Sequence, residues 1–287
     1  MSAQSETQAE DFGRKTGLFG QQATAWRFQR TRGGYRVTAL VILPTYNELE
    51  NLRPLVESIL AQGSEFHVLV IDDGSPDGTG ILADHLQGLH PDRLAVIHRE
   101  GKFGLATAYL AGFHYGISKG YDFLFEMDAD FSHRPEYLPL FLETARKTGA
   151  DVVLGSRYVD GGGAENWSWH RRLMSRGGSW YAGQMLRLSQ RDLTGGFKLF
   201  RREALESIDL TSVQSTGYGF QIEMTFRLVR KGMKVVEYPI VFRDRAAGQS
   251  KMSPGIFVEA LFMVARLALT APATLERGSM GEERARP

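Results

Sequence analysis

The 287-residue chain contains no cysteine, which excludes a disulfide framework, a thiolate metal site and thiol catalysis together. It also lacks any run of eighteen apolar residues, so no stretch reads as an ordinary membrane-spanning helix. The first 36 residues are polar, without the apolar centre of an export signal, and a cytoplasmic chain is expected. No Gly-x-Gly-x-x-Gly follows the first apolar run, which argues against a dinucleotide-binding dehydrogenase. Net charge is nearly absent at +1, but that total conceals a division. Residues 39–156 hold 8 Lys/Arg against 17 Asp/Glu, a net of −9, whereas residues 157–251 hold 16 against 9, a net of +7. This asymmetry suits a cation in the first half and anions in the second, with no call for nucleic acid.

What is present begins with 43% hydrophobic residues, enough for a substantial core. Short apolar runs at Val37–Leu43, His67–Ile71, Leu94–Ile97, the stretch from Phe123 and Val152–Gly155 alternate with helical patterns at Asn51–Leu60, Gly80–Leu89 and Leu105–Ser118. Pro135 opens a further helix at its first turn. Strands alternating with helices predict an α/β domain with a mostly parallel, Rossmann-like sheet, whose ligands sit beyond the C-terminal strand ends. Later expectations are a strand at Phe197–Phe200, a helix at Gln221–Arg230, a strand at Val235–Phe242 and an amphipathic helix at Ile256–Thr270. Residues 1–35 read as a mobile arm, 36–156 as a nucleotide and metal half, 157–270 as an acceptor half and 271–287 as a flexible tail.

The chain is organised around Phe123-Leu-Phe-Glu-Met-Asp128-Ala-Asp130-Phe-Ser-His133. Alternate residues of an extended chain point the same way, so Asp128 and Asp130 can aim two carboxylates at one point past the strand end. Hard oxygen donors of this kind suit Mg2+ or Mn2+, with substrate phosphates completing the shell; the plainer alternative is a loop of solvated acids. A second acidic cluster, Asp72-Asp73-Gly-Ser-Pro-Asp77-Gly-Thr79, lies in a tight turn on the same edge. If Arg171 to Arg176 is helical, Arg171 and Ser175 share a face as an anion cradle, or else the arginines are solvated on a surface helix. His67, His98 and His133 read as structural or solvated, since no pair has metal-ligand spacing.

Pro44-Thr-Tyr-Asn-Glu48, Asp72-Asp73-Gly-Ser-Pro-Asp-Gly-Thr79, Asp128-Ala-Asp130, Gly155-Ser-Arg-Tyr158 and Asp244-Arg245 with Lys251 occur in the order found in inverting family-2 glycosyltransferases. From about Val37 to Leu269 the chain resembles that family, and within it the dolichol-phosphate and polyprenol-phosphate mannose synthases. The resemblance implies a GT-A fold with a C-terminal acceptor-binding segment, a Mg2+ or Mn2+ cofactor, and transfer of mannose from GDP-mannose to a polyprenyl phosphate. GDP and a β-linked polyprenyl-phosphate mannose would be the products. It implies that Pro44, Tyr46, Glu48, Ile71 and Asp73 hold the guanosine, and that Asp128, Ala129 and Asp130 hold the metal and the nucleotide's phosphates. By the same resemblance Arg157, Arg171 and Ser175 bind the lipid phosphate, while Arg245 and Lys251 neutralise charge around the transferring sugar. Asp130, Arg157, Arg245 and Lys251 are thus the expected catalytic set. A peripheral contact with the cytoplasmic face of a membrane is implied, directly or through a separate anchor protein.

Elementary chemistry agrees with a phosphate acceptor. A phosphate monoester carries about −1.5 to −2 charge at neutral pH, so it needs no base; it needs basic side chains to approach another anion. Glu223 is the candidate if a base exists. The alternatives are a UDP-sugar-dependent transferase acting on polyprenyl phosphate, and a non-catalytic nucleotide-sugar binder.

Overall fold

Branched and aromatic residues dominate the short apolar runs, and the computed structural model, which describes residues 38–243 and 254–270, gathers them into one sheet. Its strands are β1 (Ala39–Thr45), β2 (Phe66–Asp72), β3 (Leu94–His98), β4 (Phe123–Glu126), β5 (Val152–Ser156), β7 (Lys198–Arg201) and β8 (Val235–Pro239), in the order β3-β2-β1-β4-β7-β5-β8. All pairings are parallel except those of β7, which runs antiparallel to β4 and to β5. A two-stranded parallel ladder, β6 (Gly163–Ala164) with β9 (Val241–Phe242), stands apart.

The helices are α1 (Leu49–Ala61), α2 (Thr79–Leu89), α3 (Leu105–Lys119), α4 (Tyr137–Thr148), α5 (Trp169–Leu186), α6 (Arg202–Glu206), α7 (Gly217–Arg230) and α8 (Pro254–Thr270). They cover both sheet faces, and β1 shows how. Ala39, Val41 and Leu43 pack with α1, α2 and α4, while Leu40 and Ile42 join a second core with α3, α6 and α7. Gly112 and Gly116 of α3 lie directly over Ile42 and Leu124, where a Cβ would collide, so α3 sits close against the sheet. A third core joins α5, α7 and α8 through Ala182, Leu186, Ile222, Phe226 and Val264.

The expected strand at Val235–Phe242 is two strands in the structure. The Ile240 N–H makes the last β5–β8 ladder bond, to the Ser156 carbonyl at 3.0 Å, while the Ile240 carbonyl accepts from the Gly163 N–H at 2.9 Å, which passes Val241–Phe242 to β6. The expected N-terminal arm and C-terminal tail, and Asp244, Arg245 and Lys251 of the last motif, lie outside the described residues. No helix of the described residues is long and apolar enough to cross a membrane.

Candidate active site

Strand β4 ends at Glu126, so Asp128 and Asp130 lie in the turn beyond it. Phe131 closes that turn with φ 61°, and the Asp130 Oδ1 accepts from the Ser132 N–H at 3.0 Å. Tyr109 of α3 donates its hydroxyl to the Asp128 Oδ1 at 3.2 Å. Burial, reinforced by the neighbouring carboxylates, holds that phenol well above its ordinary range, so it remains a donor. The backbone N–H of Asp128 donates to the His133 Nδ1 at 3.1 Å, which assigns the imidazole proton to Nε2. Burial pushes His133 down to about 4, so the ring is neutral, and it stacks on Phe197 at 4.9 Å. Of the two expectations for His133 the structural one holds: it shapes the acidic turn.

Two cavities meet there. Asp128, Asp130, Arg171, Thr194, Gly196 and Tyr218 line both of them. The larger, of about 360 Å3, is also bounded by Pro44, Tyr46, Glu48, Asp73, Lys102 and Ala129, six residues from four separate stretches of the chain. Side chains of the 72–79 loop knit the Tyr46 loop in place: Ser75 Oγ accepts from the Asn47 N–H at 3.0 Å, Thr79 Oγ1 from Glu48 N–H at 3.0 Å and Asp77 Oδ2 from Leu49 N–H at 3.2 Å. Asp72 builds that scaffold by accepting from Thr45 and Ser75, whereas Asp73 lines the cavity.

Asp73 is gripped by Arg99, whose Nε lies 2.6 Å from Oδ1 and whose guanidinium also reaches Thr107 and the Gly104 carbonyl. Burial pushes the Asp73 carboxyl up and Arg99 down, and their attraction opposes both shifts, so the pair organises the loop more than it stabilises the fold. Lys102 places its ammonium 4.4 Å from the Tyr46 ring centroid at the cavity mouth. Ile71 is fully buried in the β2 core, and its side chain lines neither cavity.

The smaller cavity, of about 110 Å3, has a basic end and an apolar end. Arg157, Trp167, Arg171 and Ser175 form the first; Met174, Ile222, Leu261 and Val264 form the second. Helix α5 does put Arg171 and Ser175 on one face, as their spacing predicts, and Ser168 caps it by accepting from the Arg171 N–H at 3.4 Å. Arg157 is bound as a fork to Asp192, Nε to Oδ2 and Nη2 to Oδ1 both at 2.7 Å, with Thr194 Oγ1 2.9 Å from Nη2. Burial opposes both charges, but the paired contacts outweigh it: Asp192 lies below the carboxylate range and Arg157 above its own.

Behind the turn, Lys198 is buried opposite Glu126 in the β4–β7 register and donates to the Gln221 carbonyl at 2.8 Å and the Thr225 hydroxyl at 3.1 Å. Burial pushes Lys198 down and Glu126 up, each partly restored by the other's charge. Glu223, the candidate base, is a correction. Its carboxylate accepts from the Ser215 N–H and hydroxyl and from Arg227 Nε, and it lines neither cavity. Tyr109, Arg99, Lys102, Trp167, Asp192 and Thr194 were not expected at the site; the only local sign was a polar Asp-Leu-Thr ahead of Gly195-Gly196.

Among the described residues no three His, Cys, Asp or Glu side chains gather to hold a metal. Asp128 and Asp130 nevertheless fit a hard divalent cation: they offer oxygen donors alone, each carboxylate has more lone pairs than its one hydrogen bond described above uses, and both face a cavity with room for a phosphate-bearing ligand.

Residues 40–209 match the family model described as Glycosyl transferase family 2. The chain is 46% identical over 265 residues to the polyprenol monophosphomannose synthase of Mycolicibacterium smegmatis, covering 92% of this chain and 97% of that protein. It is 48% identical over 232 residues to the undecaprenyl-phosphate mannosyltransferase of Micrococcus luteus, covering 81% of this chain and 94% of that protein. Among solved structures, the glucosyl-3-phosphoglycerate synthase of Mycobacterium tuberculosis in complex with Mn2+, UDP-glucose and phosphoglyceric acid aligns with a TM-score of 0.62 at 16% identity, covering 85% of this chain and 88% of that one.

Proposed function

The chain belongs to glycosyl transferase family 2, and from that premise we propose that it moves mannose from GDP-mannose to a polyprenyl phosphate, giving GDP and polyprenyl-phosphate β-mannose. The observation that carries the reading is the shared wall. A larger cavity that presents Glu48, Asp73 and Lys102 and has room for a nucleotide meets a smaller cavity with a basic head and an apolar end at Asp128 and Asp130. The mannosyltransferases named above, similar along nearly their whole length, supply the sugar and the acceptor class.

In this reading Tyr46, Glu48 and Asp73 hold the nucleoside, Pro44 and Ala129 wall it in, and Lys102 covers the mouth. Asp128 and Asp130 hold the Mg2+ or Mn2+, which when bound screens the diphosphate and stabilises it as a leaving group. Tyr109 and Ser132 N–H orient the two carboxylates. Arg171, Ser175 and Arg157 receive the acceptor phosphate and bring it to the sugar against the charge of the diphosphate. A phosphate oxygen forms the bond to C1 of mannose as the C1–O bond to the diphosphate breaks, on the opposite side, inverting that carbon. The nucleophile is already ionised, so no side chain has a proton to remove, in keeping with Glu223 being locked to Ser215 and Arg227. Arg245 and Lys251 complete the neutralisation of charge about the sugar.

The lipid acceptor calls for contact with a bilayer. Trp169, Leu173 and Trp180 of α5 and Phe262 and Leu269 of α8 are each more than 60% exposed, with Arg172 and Arg176 beside them, a composition suited to an anionic membrane surface. That composition supports peripheral docking, in this reading at the cytoplasmic face, alone or with an anchor protein.

The test incubates the protein with radiolabelled GDP-mannose, UDP-glucose or a UDP-N-acetylhexosamine, polyprenyl phosphate in vesicles, and Mg2+ or Mn2+, followed by lipid extraction. Lipid-borne label from GDP-mannose, abolished by excess chelator, is expected. Label from a UDP-sugar alone overturns the donor, absence of any lipid label overturns transfer, and full activity in chelator overturns the cation.

A further inference from the structure

The sandwiched position of Trp167 has no counterpart in the roles assigned above. It stands between the β6 ladder and the cap of α5, 8% exposed and lining the smaller cavity. Two guanidinium carbons approach its ring, that of Arg171 at 4.1 Å from the centroid and that of Arg157 at 5.0 Å. Phe242 meets the same ring edge to face, centroids 5.2 Å apart, and lies 5.6 Å from the Arg157 guanidinium. The indole Nε1 is enclosed and has no hydrogen-bond partner among the described residues. The ring is therefore held by packing and by its two cations, not by its polar atom.

Two guanidinium groups brought to one small cavity repel, and Asp192 binds that of Arg157 as a fork. The negative face of an indole attracts a cation without accepting its hydrogens, so it draws both groups together and leaves N–H donors for an anion. A carboxylate in that place would hold the arginines equally well but would repel the phosphate. An aliphatic side chain would admit the phosphate but offer neither cation a negative face.

We propose that Trp167 is a positioning residue for the acceptor phosphate, its ring holding the Arg157 and Arg171 guanidinium groups as one anion receptor. This rests on the assignment of the smaller cavity to the acceptor.

The experiment measures binding of a water-soluble short-chain isoprenyl phosphate by titration calorimetry, together with KM for acceptor and donor. Trp167→Leu raises the acceptor Kd and KM about tenfold and leaves donor KM within about twofold; Trp167→Phe, which keeps a ring, recovers part of the loss. Because Trp167→Leu could also disturb the fold, a second series replaces Trp26, Trp169 and Trp180 with Phe and incorporates mono- to tetrafluorotryptophan at the one remaining position. Fluorine drains the ring face with little change of size, so acceptor affinity falls stepwise with each fluorine. A flat series, or equal loss of donor and acceptor affinity in Trp167→Leu, overturns the role of Trp167. Native protein that transfers mannose to lipid but shows no calorimetric binding of the short phosphate overturns it too. Native protein that neither transfers nor binds overturns the acceptor assignment itself.

Discussion

Replacing Asp192 by Asn tests whether the buried fork with Arg157 is the clamp of the acceptor half. Asp192 is 1% exposed and its carboxylate accepts from the Arg157 N–H, Nε and Nη2 at 3.0, 2.7 and 2.7 Å. The amide keeps the shape but loses the charge, and it turns an N–H2 toward one of the donors. With charge centres about 4 Å apart and an effective dielectric constant of about 20, the lost attraction is about 4 kcal/mol. Breaking a buried pair by neutralising one partner costs about 3–5 kcal/mol in measured cases, so two routes agree. At an unfolding entropy of about 2.1 cal/mol/K per residue, about 4 kcal/mol corresponds in a chain of 287 residues to a fall in Tm of about 7 °C. Reversible thermal or urea unfolding at pH 7 reads it directly.

The pH dependence gives an independent check. The folded carboxyl of Asp192 lies below its unfolded value of 3.8. Its contribution is therefore present above about pH 4 and is lost as pH falls through the lower, folded value. The stability gap between native protein and Asp192→Asn should close as the pH drops below about 4. A loss under about 1 kcal/mol at pH 7, or a gap that stays constant from pH 7 to pH 3, would refute the reasoning.

Tyr109→Phe removes the donor to Asp128 while keeping the stacked ring, and should lower kcat/KM about tenfold, the worth of a hydrogen bond to a charged group; unchanged kinetics would show the contact to be idle. Glu223→Gln should leave kcat within about twofold while costing about 1–3 kcal/mol of stability through the Ser215 and Arg227 contacts, and a hundredfold loss of kcat at native stability would restore Glu223 as a base. Alanine at Arg245 or Lys251 should lower kcat by about a hundredfold with less effect on nucleotide affinity, and native activity in both variants would show the two side chains to be spectators.

The architecture was legible because its signal is local and repeated. Buried parallel strands read as apolar runs, and each expected helix from Asn51 to Ser118 lies within two residues of the observed one at both ends. What escaped was direction and breakage. Lys198–Arg201 is four residues long and looks the same read either way, so its antiparallel place between β4 and β5 depends on where α5 leaves the chain. The partner that makes the end of Val235–Pro239 a change of sheet, Gly163–Ala164, is a two-residue strand with no pattern of its own.

The site divides along the same line. Arg171 with Ser175 is a pair whose geometry follows from its spacing along a helix, whereas Asp128 and Asp130 meet at the cavities through the turn closed by Phe131 and not as alternate residues of a strand, which ends at Glu126. Asp72 and Asp73 show the limit of that logic. Successive residues at a strand end point apart, so one of two adjacent acids enters the site and the other builds the turn, but which does which depends on Thr45 and Ser75 reaching Asp72 and on Arg99, 26 residues away, reaching Asp73. Arg157 and Asp192, 35 residues apart, are as unremarkable singly as any arginine in a basic half and any acid in a turn. Their meaning arises only when the end of β5 and the loop after α5 are closed on each other, and the same closure sets the Arg157 guanidinium over Trp167. A motif names side chains that face a ligand; the side chains that aim them are recruited from wherever the fold brings a complementary charge or ring, and spacing along the chain carries no record of that choice.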